Sequence, residues 1–473
     1  MGDEELKREV DDYVDEVWED VVADIRSLVR IRSVEDLSQA APGMPWGPKS
    51  HEALALGLSI ASRLGLDSHD CEGYLGYADL VGESAGQIAT IAHTDVVPEG
   101  LGWTVDPFDV TRREGFLMGR GVLDDKGPFV LSLYAAHFFA RRVQRTGKRL
   151  PYTLRVLVGN DEETTMGDVT WYLSHYEQPL FCFSPDADFP LICGEKGVFH
   201  GRFRREHGTD GRIVSLEGGT VVNAIPGLAT ATVRTDASTL PASEGIDVEA
   251  MDGGLAKLTA HGKGGHASLP EGTVNAIGML ATYLLQNGIC DEGEREFLEL
   301  ERLVCASGHD GDALGIACSN ERFGALTAIG GTVSDSDGFL EQTIDCRYPD
   351  ATTGEGIAAR LSSVAADHGA SFEVIQDKVP FYEDPASPEI STLLSTYEEY
   401  SGRKTEPLVI GGGTYARKFR NACAFGPHEP AENVPSWVGM EHGPDEAVSE
   451  ESLRRALKIY IVSIARLMRL DLA

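Results

Sequence analysis

Positive charge is what this chain has least of. Lys and Arg together number 41 against 75 Asp and Glu, for a formal net charge of −34. That balance disfavours nucleic acid and anionic membrane surfaces as partners, because both are met by cationic faces. Long apolar runs are missing as well: no stretch approaches the roughly 18 consecutive apolar residues of a membrane span. The opening Met1-Gly2-Asp3-Glu4-Glu5-Leu6 is acidic without an apolar core, so no secretory signal is expected. It also has no Ser or Thr where a myristoylation motif needs one. The eight cysteines, at 71, 182, 193, 290, 305, 318, 346 and 423, form no C-x-x-C pair. Such scatter in a long chain points to reduced core thiols, not to a disulfide framework or a cysteine metal cage. A cytoplasmic protein is the expectation.

What is present is an ordinary globular balance, 42% hydrophobic and 25% charged, over 473 residues, enough for two or three domains. Apolar residues recur at helical spacing over about 3–32 and 50–64. Strands are expected at 74–81, 87–92, 152–159 and 180–184, with helices at 129–143 and 167–174. This alternation predicts an α/β domain with a mainly parallel sheet. After about Leu191 the pattern shifts to alternating strands, at 198–204, 221–233 and 256–261, followed by a helix at 274–286. A similar group recurs at 324–329, 338–346, 354–368 and 371–376, so the insert reads as two related α+β halves. From about 386 the α/β texture returns, with helices at 388–401 and 450–467, the latter capped by Ser449. The first domain, 1–190, is thus interrupted by 191–385 and completed by 386–473.

The chemistry-bearing residues fall in the loops after the first domain's strands. His93 ends an apolar strand in Ile91-Ala92-His93-Thr94-Asp95. Asp95, two positions on, shares a face with His93 if the strand persists. A carboxylate placed there fixes the imidazole tautomer and frees the other nitrogen for a metal. Asp124 sits in the glycine-bracketed loop Gly119–Pro128, Glu163 in Asp161-Glu162-Glu163, Asp186 in Pro185-Asp186-Ala187-Asp188, and His442 in Glu441-His442-Gly443-Pro444. Together they offer N and O donors and no sulfur, which suits Zn²⁺, Co²⁺ or Mn²⁺ at a catalytic site. If one carboxylate bridges, two metals share the set and keep positions open for water; Asp124 is the best-placed bridge. Glu162, beside a ligand, is the candidate general base.

These motifs, with Cys193-Gly194-Glu195-Lys196-Gly197 after Asp186, resemble the M20 metallopeptidases and within them the PepV-type dipeptidase branch. The resemblance spans essentially the whole chain. It implies a di-zinc α/β catalytic domain interrupted by a lid of two ferredoxin-like α+β lobes. Two Zn²⁺ per chain, replaceable by Co²⁺ or Mn²⁺, are bridged by Asp124; His93 and Asp186 complete one metal, Glu163 and His442 the other. Asp95 orients His93, Glu162 is base and then acid, and the Asp124–Asp125 peptide is cis. In the lid, His266 helps stabilise the oxyanion, while Asn223 and Arg347 contact substrate. Thr414 holds the substrate carboxylate with assistance from Arg417, and Asp188 lies where it could hold the substrate ammonium. A two-lobed lid implies a monomer whose His266 acts within its own chain. The activity implied is hydrolysis of short peptides with a free N-terminus through a metal-bridging water. Two alternatives stay open: an amidohydrolase of N-acyl amino acids, and a non-catalytic metal-dependent binding protein.

Overall fold

The computed structural model describes residues 3–208, 210–429 and 434–472. The chain divides into two compact units, one of residues 1–193, 382–408 and 413–473, the other of 194–381 with 409–412. The second unit thus runs over 194–381, beside an expected insert of 191–385. It also takes the short stretch 409–412 back from the closing segment.

The first unit is built on a nine-stranded sheet. Its centre is parallel: Thr153–Gly159, Gln87–His93, Phe181–Ser184 and Ala422–Ala424 lie side by side. Leu75–Leu80 and Asp67–Cys71 extend one side antiparallel. On the other side Ile192 pairs antiparallel with Ala424. Gln87–His93 is buried along almost its whole length, which is why it reads as an unbroken apolar run and not as an alternating one. Helix Lys126–Thr146 packs on that strand and against helices Asp3–Val29 and Glu450–Leu467. It begins three residues before the expected 129, because Pro128 in a first turn has no amide hydrogen bond to lose. Ser449 caps helix Glu450–Leu467 through Oγ, which accepts from the amide of Ser452 at 3.4 Å.

The second unit is antiparallel throughout. Its eight strands run in the order Ile246–Met251, Leu255–His261, Leu228–Val233, Ile213–Gly218, Thr327–Ser336, Phe339–Tyr348, Gly197–Glu206 and Ser371–Lys378. The two expected halves are thus one continuous sheet. They join where Glu217 and Gly218 pair with Ser334 and Val333. Helices Ala276–Gln286 and Gly354–Asp367 cover one half each. The single strand expected over 221–233 is broken into Ala224–Ile225 and Leu228–Val233, because Pro226 has no amide to give the ladder.

Candidate metal centre

Strand ends and one helix start carry four of the five candidate ligands. The central strand stops at His93, whose ladder partner is Gly159, and Thr94 bonds back to the Gly159 carbonyl at 3.0 Å. Glu162 and Glu163 follow the neighbouring strand, and Asp186 follows Phe181–Ser184. The carboxyl ends of adjacent parallel strands are where open α/β sheets hold ligands. Asp124 arrives from the loop before helix Lys126–Thr146, in which Gly121 adopts φ 90°, a conformation that residues with a Cβ rarely adopt. His442 stands in the left-handed region at φ 61°, a placement that costs roughly 1 kcal/mol or more and persists only where the surroundings impose it.

The structure brings His93, Asp124, Glu163, Asp186 and His442 to one place. Nε2 of His93 lies 3.0 Å from Oδ1 of Asp124 and 3.7 Å from Oδ2 of Asp186. Nε2 of His442 lies 2.9 Å from Oδ2 of Asp124 and 3.1 Å from Oε2 of Glu163. Asp124 therefore faces one histidine with each oxygen, the arrangement a bridging carboxylate needs. Two donor groups lie close enough to hold an ion, His93 with Asp124 and Glu163, and His93 with Asp125 and Asp186. Fully buried His93 Nε2 has no aligned hydrogen-bond partner, nor has Oε1 of Glu163. Buried polar atoms left so are costly. A divalent cation with N and O preference fits this donor set.

Charge tells the same story. Burial, then the charge of Asp186, pushes Glu162 well above the usual carboxylate range. Burial and Asp124 raise Asp186 to about 7, and burial with Asp124 also raises Glu163. At Asp124, burial is outweighed by His442 and His93, which hold it well below its ordinary value. The side chain of His442 is more than half exposed, and the carboxylates of Asp124 and Glu163 beside it lift the imidazole well above its ordinary value. The site is a knot of negative charge that draws in whatever positive charge is near.

Asp95 lies past the strand end, so the period-two argument does not reach it. Nδ1 of His93 meets the Asp95 backbone carbonyl at 3.0 Å, with carboxylate Oδ1 at 3.4 Å. Oδ2 of Asp95 accepts from the Glu163 amide at 3.1 Å, so the residue braces two candidate ligands at once. The Asp124–Asp125 peptide is cis. Oδ2 of Asp125 accepts the His93 amide at 3.1 Å, which ties that loop to the strand end.

Several supporting residues carry no mark in local sequence reasoning. Fully buried Asp168 accepts the amides of Asn160 and Asp161 at 2.8 and 3.1 Å and the hydroxyl of Tyr415, shaping the turn that delivers Glu162. Oε1 of Glu446 accepts the amides of Gly121, Leu123 and Asp124, and its Oε2 meets Arg120 Nη1 at 2.6 Å. Only the Glu-His442-Gly-Pro-Asp-Glu446 spacing could have drawn attention to it.

Of the remaining candidates in this unit, Asp188 is hydrogen-bonded through Oδ1 to His428. Thr414 caps the short turn Tyr415–Lys418, its Oγ1 accepting from the Ala416 amide at 3.1 Å, and half-buried Arg417 lies in that turn. His266, Asn223 and Arg347 belong to the second unit and converge there. Ala224–Ile225 pairs with Gly265–His266, and the Ala267 amide bonds to the Asn223 carbonyl at 2.9 Å. Thr327, the ladder partner of Arg347, donates to the Ala267 carbonyl at 3.3 Å. Nδ1 of His266 accepts from the Ser268 amide at 3.2 Å, which places the proton of the neutral ring on Nε2. Asp345 grips Arg347 at Nε and Nη2, at 2.8 and 2.9 Å, and Nη1 donates to the Gly411 carbonyl at 2.7 Å. Gly411 has no room for a side chain: a Cβ there would lie 2.7 Å from that of Ser268.

Paired parallel strands ending in a His, Asp and Glu cluster, with an antiparallel α+β insert, define a class of metal-dependent hydrolase, and residues 89–466 match peptidase family M20/M25/M40. The chain belongs to that family. Among curated relatives, it is 30% identical over 466 residues to a putative dipeptidase, YtjP, of Bacillus subtilis, covering 95% of this chain and 98% of the relative. It is likewise 30% identical over 466 residues to the Beta-Ala-Xaa dipeptidase of Lactobacillus delbrueckii, covering 95% and 96%. Solved structures share the fold at low identity. The di-peptidase Dug1p of Saccharomyces cerevisiae superposes with TM-score 0.61 at 13% identity, over 98% of this chain and 99% of that one. Human carnosine dipeptidase 1 gives 0.59 at 13%, over 98% and 100%.

Proposed function

We propose that the protein is a dipeptidase that cleaves short peptides with a free N-terminus and depends on two Zn²⁺ ions, for which Co²⁺ or Mn²⁺ can substitute. The observation that carries this reading is Asp124, whose two oxygens face His93 and His442, with Nε2 of buried His93 lacking an aligned hydrogen-bond partner among largely buried carboxylates. Full-length similarity to the Beta-Ala-Xaa dipeptidase supports the substrate class. His93 and Asp186 would hold one ion, Glu163 and His442 the other, with Asp124 shared. These residues would hold divalent ions whose Lewis acidity would act on a scissile carbonyl and on a water molecule near neutral pH.

The chain's own residues do the rest. Glu162 takes the proton of the attacking water on its carboxylate and delivers it to the leaving amine. His266, with its proton on Nε2, donates to the tetrahedral oxyanion. Arg347 grips the peptide's terminal carboxylate with donors that Asp345 leaves over, and Asn223 and Thr414 orient the same substrate, with Arg417 beside Thr414. Asp188 receives the substrate ammonium. The two halves of the insert, joined in one eight-stranded sheet of a single chain, support a monomer. No helix among the described residues is long and apolar enough to cross a membrane, and their cysteines are all free, in keeping with a cytoplasmic setting.

The test is hydrolysis of a panel of dipeptides and N-acyl amino acids by chelator-stripped enzyme resupplied with Zn²⁺, Mn²⁺ or Co²⁺. Metal-dependent cleavage of free dipeptides is expected. Cleavage confined to N-acyl amino acids makes the protein an amidohydrolase, and tight metal binding without any hydrolysis makes it a binding protein.

A further inference from the structure

Asp124 and His442 stand 318 residues apart in sequence, yet their side chains meet at 2.9 Å. One carboxylate joins the two loops that carry them. Glu446 is fully buried, and so is Arg120. Oε1 of Glu446 accepts the amides of Gly121 and Leu123, each at 3.0 Å, and of Asp124 itself at 3.3 Å. Oε2 meets Nη1 of Arg120 at 2.6 Å, and Nη2 of Arg120 donates to the Gly443 carbonyl at 3.2 Å, beside His442. The Glu446 carbonyl in turn accepts the Gly119 amide at 3.0 Å. Two residues of the His442 loop, His442 and Asp445, have φ of 61° and 55°. Such a backbone keeps its shape only under external restraint. Asp445 supplies part of it, accepting from the amide and hydroxyl of Thr104 at 2.8 and 2.9 Å. The side-chain hydrogen bonds of Glu446 thus go to backbone amides of the Asp124 loop and, through Arg120, to the Gly443 carbonyl of the His442 loop.

We infer that Glu446, paired with Arg120, is a positioning residue that clamps the Asp124 loop to the His442 loop and thereby sets the cation position these two ligands share. The inference rests on the reading of Asp124 and His442 as metal ligands. Glu446→Gln tests it, because Gln keeps an acceptor for the amides but turns a donor toward Arg120. The double variant Arg120→Met with Glu446→Gln also removes the unpaired buried guanidinium, so it keeps the test open if the single variant folds poorly.

The measurement is a Zn²⁺ titration of metal-free protein by calorimetry, with His442→Ala as reference. Wild type should bind two equivalents. The Glu446 variants should hold the His442 position about 10–100-fold more weakly, the range typical when support behind a ligand is lost, with the other position, which shares only Asp124, weakened less. KM for a dipeptide should stay within a factor of two or so. Wild-type affinity at both positions in a folded Glu446 variant overturns the inference. Equal loss at both positions overturns it too, since that traces the effect to the shared Asp124 alone and leaves no role for the tie to the His442 loop. If wild-type protein binds no Zn²⁺ while correctly folded, the underlying ligand reading fails instead. Hydrogen exchange gives a check without any substitution. The amides of Gly121, Leu123 and Asp124 should be protected in metal-free wild type; exchange at open-chain rates there means that the metal, and not Glu446, orders the loop.

Discussion

Two buried charge clusters in this molecule have opposite characters. Around Arg347, Asp345 is fully buried, and burial alone would raise its carboxyl; His200 and Arg347 outweigh that and hold it below the ordinary value. His200 Nε2 and the Arg347 fork all lie within 2.9 Å of it. Around His93 the same burial meets mostly more carboxylates, so Glu162, Glu163 and Asp186 are all raised. Where the chain supplies its own cations, a buried carboxylate stabilises an arginine for use. Where it supplies mainly acids and two imidazoles, it leaves room for a cation from outside. Burial of charge by itself distinguishes nothing; the sign and number of the neighbours do.

Four substitutions probe that contrast. The largest effect belongs to Asp124→Ala, which removes the acceptor shared by both histidines. Metal content by mass spectrometry should fall, and kcat/KM should drop about a thousandfold or more. Retained metal with normal turnover would show that the cluster needs no bridge.

Asp168 is a third kind of buried carboxylate, held by neutral donors, and burial raises it to about 7. An unfolded Asp releases its proton near 4. Between those values the folded state binds the extra proton, so this group's stabilising contribution is full below about pH 4 and lost as pH rises through about 7. Asp168→Asn removes that loss. Denaturant titrations of metal-free protein should show the variant gaining on wild type from pH 4.5 to 7.5, by up to about 3–4 kcal/mol. A pH-independent difference contradicts the assignment.

Asp95→Ala takes the acceptor from the Glu163 amide and the carboxylate from beside His93, while the ligands themselves stay. Zn²⁺ affinity should weaken about 10–30-fold, within the range for residues behind ligands. Full activity with full affinity would remove Asp95 from the site. Smallest is Arg347→Lys, which keeps the charge but loses the fork. KM for a free dipeptide should rise about tenfold while its C-terminal amide is unaffected. An equal rise for both substrates would place Arg347 elsewhere in the chemistry.

Much of this was legible in sequence because it is local. His93 ends an apolar run, Asp124 sits between glycines, and helices such as Pro388–Ser401 and Glu450–Leu467 carry their own periodicity and caps. Helix Glu292–Val304 was missed although Asp291 and Glu294 spell a capping box, with Phe297, Leu298, Leu300 and Val304 on its buried face. What was not legible is non-local. The join of the two inserted halves depends on Gly218 meeting Val333, and the clamp of Glu446 on Gly121 spans 325 residues of sequence. No window of sequence contains both partners. The role of Asp95 was only half legible, because the strand ends two residues too early for its pattern to apply.

The central claim is that this knot of charge performs hydrolysis with Glu162 moving the proton. Turnover of a dipeptide by Glu162→Ala, measured at a metal content equal to that of wild type, tests it most directly. The account predicts kcat lower by about 10²–10⁴ with KM and metal content unchanged. Wild-type turnover by the fully loaded variant would contradict it.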